Sequence, residues 1–307
     1  MTHKLALGID IGGSHITCQL VDLNTNIPLD HTWVRTGVNN AASESEILQK
    51  WADAIRQSSQ KFGIQKILGL GFAMPGPFDY EKGIALFDQK VKKFGALHGV
   101  NIREELLGIL NLAEDFPIRF INDASAFAVG ETSQGRPSEF NRVLAITLGT
   151  GFGSTFIRNK LPVAGENGVP DDGFLYHIPF KNSIADDYFS TRWFLHEYKS
   201  RTGKYIKGVK EMAELAGSDR TSIEIFEIFG NSLGTFLSPW VKDFGVECLV
   251  IGGNIAHSFS IFENPLRAAF KINNLKPEIC ISALGENAAI IGSARLCDNN
   301  FYSQLYD

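Results

Sequence analysis

The stretch Leu5–Asp22, LALGIDIGGSHITCQLVD, decides how the rest of the chain is read. An apolar run from Leu5 to Ile11 carries Asp10 near its end and meets Gly12-Gly13 at once; alternation resumes at Ile16, Cys18 and Leu20. Period-two patterning on both sides of the glycines predicts strand, glycine turn, strand. Phosphate-binding glycines of a dinucleotide site or a P-loop stand between a strand and a helix, and no helix follows here. A turn of bare amides can still cradle an anion, and a carboxylate beside it can hold Mg²⁺, usually through water. An ordinary hairpin with a polar strand end fits the same residues.

A second copy of this plan lies at Arg142–Arg158, RVLAITLGTGFGSTFIR. Thr147 stands where Asp10 stands, and Gly149, Thr150, Gly151 and Gly153 replace Gly12-Gly13. Each copy opens a segment of alternating strands and helices, which predicts a duplicated α/β domain. Two such turns would face each other across a cleft and grip a nucleotide's phosphates from both sides.

Between the copies, Ser43-x-x-Glu46 makes a capping box for a helix carrying Ile47, Leu48, Trp51, Ile55 and Phe62 on one face, with Gly63 as its stop. Lys66–Phe72 reads as a buried strand that empties into a rigid loop containing Pro75, Gly76 and Pro77. Loops at the carboxyl ends of α/β strands line ligand sites; a plain turn is the other reading. Asn101-x-x-Glu104 caps a second helix, and the strand at 117–121 delivers Asn122-Asp123 to its carboxyl end, followed by Ala124, Ala126, Ala128 and Gly130. Asn122 and Asp123 are either helix caps or, more sharply, a general base held beside a phosphate site.

Beyond the second copy, 161–182 is irregular and ends near His177. Residues 183–201 read as a helix whose Trp193-Phe194 pair leaves aromatic surface for a partner subunit. Thr221-x-x-Glu224 caps a longer helix that Pro239 kinks or ends. A strand at 247–251 runs into Gly252-Gly253-Asn254, a helix follows from about Ala256, a strand lies near Ile279, and a Gly/Ala-rich helix occupies 285–296.

At 307 residues the chain exceeds one comfortable core, so two domains are expected. A net charge of −5 argues against nucleic acid or a polybasic membrane surface as the main partner. No apolar run approaches a membrane span, and the cytoplasm is the default location. The four cysteines, Cys18, Cys248, Cys280 and Cys297, sit in apolar patterns and read as reduced core residues, with neither a zinc site nor a disulfide framework supported.

The Asp10 hairpin, Asn122-Asp123, the Thr147–Ser154 hairpin and Gly252-Gly253 occur in the order and approximate spacing of the actin-like ATPase superfamily of sugar kinases. Within it the chain resembles the ROK family (repressors, open-reading-frame proteins and sugar kinases) over nearly its whole length, through GIDIGG, NDA, a GTGIG-like turn and IGG. The resemblance implies an α/β fold of two ribonuclease H/actin-like ATPase domains with a cleft between them: 1–122 plus the C-terminal helix 286–307, and 123–285. It also implies an ATP- and Mg²⁺-dependent hexose kinase acting at a 6-hydroxyl. Asp123 would be the catalytic base and Asn122 would orient the sugar. Asp10 would hold Mg²⁺ through water. Gly12, Gly13, Thr147, Gly149, Thr150 and Gly151 would bind phosphate, and Gly252-Gly253 would pass close to adenine and ribose. Pro75-Gly76 looks like the sugar-side loop, and the family habit suggests a homodimer.

Departures accompany these matches. Family kinases carry GEIGH, a zinc-binding cysteine cluster and then a sugar-contacting Glu; here the run is Gly173–His177, with Phe174 at the Glu position and no nearby cysteine. His177 therefore stands as either a sugar ligand or a surface histidine. The later Glu is represented by Asp186, one methylene shorter. In 93–101 (KFGALHGVN) the family's Asn and Trp are replaced. Some zinc-free members use polyphosphate, an alternative donor, and a sugar-binding sensor with little catalysis is the alternative function. With four residues before the first strand, no helix-turn-helix is expected.

Overall fold

The computed structural model describes residues 4–87 and 94–305; Lys93, the first residue of KFGALHGVN, lies outside them. The chain divides into two units, Met1–Gln134 with Glu286–Asp307, and Gly135–Gly285.

In the first unit the elements run β1 (Leu5–Ile11), β2 (His15–Asp22), β3 (Ile27–Pro28), β4 (Val34–Gly37), α1 (Glu44–Ser59), β5 (Leu70–Met74), β6 (Phe78–Asp79), β7 (Ile84–Ala85), α2 (Ile102–Leu110), β8 (Ile118–Asn122) and α3 (Asp123–Glu131). The main sheet is ordered β3-β2-β1-β5-β8, with β4 also paired to β2. β1 pairs antiparallel with β2 and parallel with β5, which pairs parallel with β8. The central parallel strands are covered on both faces, which is why β5 is buried throughout. The capping box forms as expected, Ser43 and Glu46 each bonding the other's amide, and Ile47, Leu48, Trp51 and Ile55 face inward. The strand expected from Lys66 starts only at Leu70, because Ile64–Lys66 closes a 3₁₀ turn on Gly63.

The second unit contains β9 (Arg142–Leu148), β10 (Phe152–Arg158), β11 (Leu161–Val163), β12 (Pro179–Phe180), β13 (Ser183–Ile184), α4 (Ala185–Tyr188), α5 (Thr191–Thr202), α6 (Val209–Leu215), α7 (Arg220–Phe244), β14 (Cys248–Gly252), α8 (Phe259–Ile272) and β15 (Glu278–Ile281). Its sheet is ordered β11-β10-β9-β14-β15. Again a hairpin is joined in parallel to later strands, so the duplication expected from the two glycine stretches is present in the strand pairing.

Three local expectations change here. Residues 183–201 are not one helix: the backbone leaves helical geometry at Phe189 and Ser190, which turns Phe189 into the core beside Phe152 and Phe236. Phe189 and Phe194 are fully buried, and Trp193 packs on Phe194 and Phe229, so these aromatics belong to the unit's own core rather than to a surface awaiting a partner. Finally, α7 does not end at Pro239 but continues to Phe244, with Gly245 beyond it; its cap is Asp219, which accepts from the Thr221 and Ser222 amides. Burial of Phe236, Leu237, Val241 and Phe244 offsets the backbone bond that proline forfeits.

The chain then returns to the first unit with α9 (Asn287–Ala294) and α10 (Asn299–Ser303). A Cβ on Gly71 would collide with the Ser293 carbonyl, and one on Gly292 with the Ala126 carbonyl. Bare backbone thus lets α9 lie directly on β5 and against α3. This packing keeps α3 in the first unit, so the boundary falls after Gln134 rather than after Asn122.

Candidate active site

Asp10 is the penultimate residue of β1, in register with Thr17 of β2 and Ala73 of β5. The Gly12 amide donates to the His15 carbonyl at 2.9 Å, and the Asn40 amide group bonds the Gly13 carbonyl, which closes the first turn. Burial pushes the Asp10 carboxyl up to about 7; the negative charges of Asp123 and Glu286 add to the rise, and Arg35 opposes it. A divalent cation would relieve this crowding. Among the described residues no group of three or more His, Cys, Asp or Glu side chains could hold a metal directly. One carboxylate at a glycine turn fits Mg²⁺ held through water, since that ion keeps several of its waters.

At the carboxyl end of β8, Asn122 caps α3, its side-chain oxygen accepting from the amides of Ala124 at 2.9 Å and Ser125 at 3.3 Å. Its Nδ2 donates to the Tyr80 hydroxyl at 3.2 Å, which in turn donates to the Met74 carbonyl at 3.2 Å. The capping reading therefore holds for Asn122, and Tyr80 ties it to the end of β5. Asp123 follows, exposed, with Oδ1 accepting from the Ala124 amide at 2.8 Å. The Pro75-Gly76 loop is adjacent, since a Cβ on Gly76 would stand 3.5 Å from the Tyr80 hydroxyl.

In the second unit, the turn after Thr147 is held from outside. The Gly149 carbonyl accepts from the Thr191 amide at 2.8 Å and the Thr191 hydroxyl at 2.9 Å. The Thr150 carbonyl accepts from Arg192 Nη1 at 3.0 Å. Asp186 takes the Phe152 amide on Oδ1 and Arg192 Nη2 on Oδ2, both at 2.6 Å. The Gly149 amide, expected on phosphate, donates instead to the Gly151 carbonyl at 3.0 Å, and the Phe152 amide is taken by Asp186, so an anion at this turn would fall to the Thr150 and Gly151 amides. Gly253, at φ +82°, packs against the Leu148 carbonyl, where any side chain would clash, and Gly252 is in register with Thr147. Thr150, Thr191, Gly208, Lys210, Asn254 and His257 line a cavity of about 920 Å³ beside this turn, ample for a nucleoside.

Two expected sugar ligands stand differently. Both carboxylate oxygens of Asp186 are engaged beside the second turn, Oδ1 by the Phe152 amide and Oδ2 by Arg192. His177 is half-exposed, with Nδ1 3.6 Å from Asp172 and its ring edge-on to Tyr176. Tyr80, Arg35, Thr191 and Arg192 were not singled out from the sequence. Tyr80 and Arg35 lie in stretches without periodicity, while Thr191 and Arg192 fall in a segment read as plain helix.

Comparison with known proteins bears on this arrangement. The ROK family model, described as "ROK family", matches residues 6–300. The chain is 25% identical to a glucokinase of Thermotoga maritima, over 94% of this chain and 96% of that one. It is 24% identical to an N-acetyl-D-glucosamine kinase of Pectobacterium atrosepticum, covering 83% and 86%. A crystal structure of a ROK glucokinase from Streptomyces griseus with glucose and AMPPNP superposes with a TM-score of 0.74 at 20% identity, covering 95% of this chain and 98% of that one. The likeness in structure establishes the two-domain actin-like ATPase fold.

Proposed function

This chain belongs to the ROK family, and from that premise we propose that it is a sugar kinase moving the terminal phosphoryl group of ATP to a hexose or amino-hexose hydroxyl, the 6-hydroxyl by family analogy. ATP is taken by the second unit: the Thr150 and Gly151 amides meet phosphate oxygens and the cavity near Gly252-Gly253 takes the nucleoside. The sugar is taken by the first unit, along the Pro75-Gly76 loop and the Asn122–Tyr80 pair. The hydroxyl oxygen bonds to the γ-phosphorus as the bond from γ-phosphorus to the β,γ-bridging oxygen breaks. ADP leaves with that electron pair, and the hydroxyl proton passes to the Asp123 carboxylate. Such base assistance contributes roughly 10²- to 10⁴-fold, with positioning and charge neutralisation supplying more. Mg²⁺ bound through water at Asp10 would neutralise phosphate charge.

The observation that carries this reading is Asp123 on a helix N-terminus in electrostatic reach of Asp10 within one unit. The relatives named as sugar kinases support it. The test is ADP release from ATP across a panel of glucose, mannose, N-acetylglucosamine and N-acetylmannosamine, with polyphosphate as a parallel donor. Sugar-dependent turnover is expected, and its absence with every sugar and both donors overturns the proposal. Phe174, standing where family kinases carry a Glu, motivates one alternative, a sugar-binding sensor with little catalysis. That reading predicts a sugar-induced rise in melting temperature without phosphate transfer.

A further inference from the structure

Arg35 of β4 belongs to none of the motifs that carry the kinase reading, yet the sheet places it beside them. Asp10 is in register with Thr17, and Thr17 with Arg35. Residues in register across neighbouring strands share a face, so Asp10, Thr17 and Arg35 form one row on the sheet. Two strand spacings, about 10 Å, separate its ends, a gap that an arginine side chain largely spans. Arg35 Nη1 lies 2.7 Å from both oxygens of Glu286, just before α9. Its Nη2 is 3.1 Å from His15 Nε2. A guanidinium can only donate, so His15 accepts there and carries its proton on Nδ1. The His15 ring covers Gly12, where a Cβ would stand 2.6 Å from its Cε1. His15 thus ties the guanidinium to the first glycine turn. Arg35 is the positive charge acting on Asp10, against the negative charges of Asp123 and Glu286.

We propose that Arg35 is the cationic arm of the phosphoryl-transfer site: it pairs with Glu286 at rest and moves to the oxygens of the phosphoryl group in transit. The inference rests on the sugar-kinase reading above. Arginine suits the task because its planar fork meets phosphate oxygens in pairs and stays charged. Its resting pair is inexpensive to break, since the Arg35 and Glu286 side chains are 36% and 65% exposed and exposed ion pairs contribute little. Arg35 neither gains nor loses a covalent bond in the step; it neutralises charge that grows as the β,γ-bridging bond breaks.

Wild-type protein, Arg35→Ala, Arg35→Lys and Glu286→Gln are assayed for turnover on the best sugar and for binding of inorganic tripolyphosphate by calorimetry. The proposal expects Arg35→Ala to lower kcat about 100-fold with the sugar KM unchanged. It expects Arg35→Lys to recover little, and guanidinium ion to restore part of the Arg35→Ala activity. Tripolyphosphate binding should weaken about tenfold in Arg35→Ala and tighten about threefold in Glu286→Gln, where the arm is released. If Arg35→Ala and Glu286→Gln instead lose activity alike while tripolyphosphate affinity stays at the wild-type level, Arg35 is only a tie between β4 and α9 and the proposal falls. If the wild type phosphorylates no sugar, the kinase reading fails separately, and tripolyphosphate binding decides: tenfold weakening in Arg35→Ala retains the arm, and equal affinity removes it.

Discussion

The two glycine turns share a strand–turn–strand plan and differ in the charges around them. The first closes through the Gly12 amide, with Asn40 on the Gly13 carbonyl, and is ringed by ionisable groups: Asp10, Arg35 and His15, with Asp123 and Glu286 acting on Asp10. The second has Thr147 in place of Asp10, and its carbonyls are gripped by Thr191 and Arg192 with Asp186 behind them. The strand–turn–strand plan thus recurs while the charge around it differs. A turn clamped by an arginine–aspartate pair suits the part of a nucleotide that stays put, whereas a turn ringed by unbalanced carboxylates suits the part that moves. We read the second turn as the holder and the first as the place of chemistry.

The largest expected effect breaks one turn and spares the other. Gly292→Val would press a side chain into the Ala126 carbonyl and lift α9 from the elements that carry Asp10 and Asp123. A loss of about 3 kcal/mol or more is expected in the first unit. Hydrogen exchange should show β1 and β5 losing protection while β9 and β14 retain theirs; uniform loss in both units would contradict it.

Next is a pH effect confined to the first turn. The folded-state pKa of Asp10, about 7, lies above its ordinary value of 3.8, so the folded chain binds this proton more tightly than the unfolded one. The stability it lends is complete below about pH 4 and is lost as pH rises through 7, a change of at most about 4 kcal/mol. Asp10→Asn should flatten that dependence and raise the melting temperature of metal-free protein at pH 8. Added Mg²⁺ should raise it for the wild type alone. A wild type and variant with identical pH profiles would show that Asp10 is not the group responsible. Thr147 cannot titrate in this range, so the second turn offers no counterpart.

The smallest effect sharpens the second turn. Thr191→Val removes one hydroxyl bond to the Gly149 carbonyl, a loss of about 1 kcal/mol. The KM for ATP should rise two- to fivefold with the sugar KM unchanged. A change in the sugar KM instead would place Thr191 on the wrong substrate.

Both turns are legible in the sequence because a period-two pattern on either side of closely spaced glycines leaves few alternatives to a hairpin. Asn122 was legible twice over, as a cap and as a site residue, since one short side chain at a strand-to-helix junction fits both. Asp186 is legible by position, but its bonds to Phe152 and Arg192 are not: they depend on how the chain turns at Phe189, and that turn is set by core packing. Likewise, membership of α3 in the first unit rests on α9, a partner far along the chain that meets it through small residues whose pattern names no particular mate. Arg35 was invisible because a strand register, and no local motif, brings it into line with Asp10.

The division of labour between the turns is tested most directly by steady-state kinetics of Asp123→Asn and Asp186→Asn side by side, varying ATP and sugar independently. The account predicts that Asp123→Asn lowers kcat by roughly 10²- to 10⁴-fold with the KM for ATP nearly unchanged, while Asp186→Asn chiefly raises the KM for ATP. Full activity in Asp123→Asn, or a kcat loss in Asp186→Asn as large as that in Asp123→Asn at saturating ATP, would contradict it.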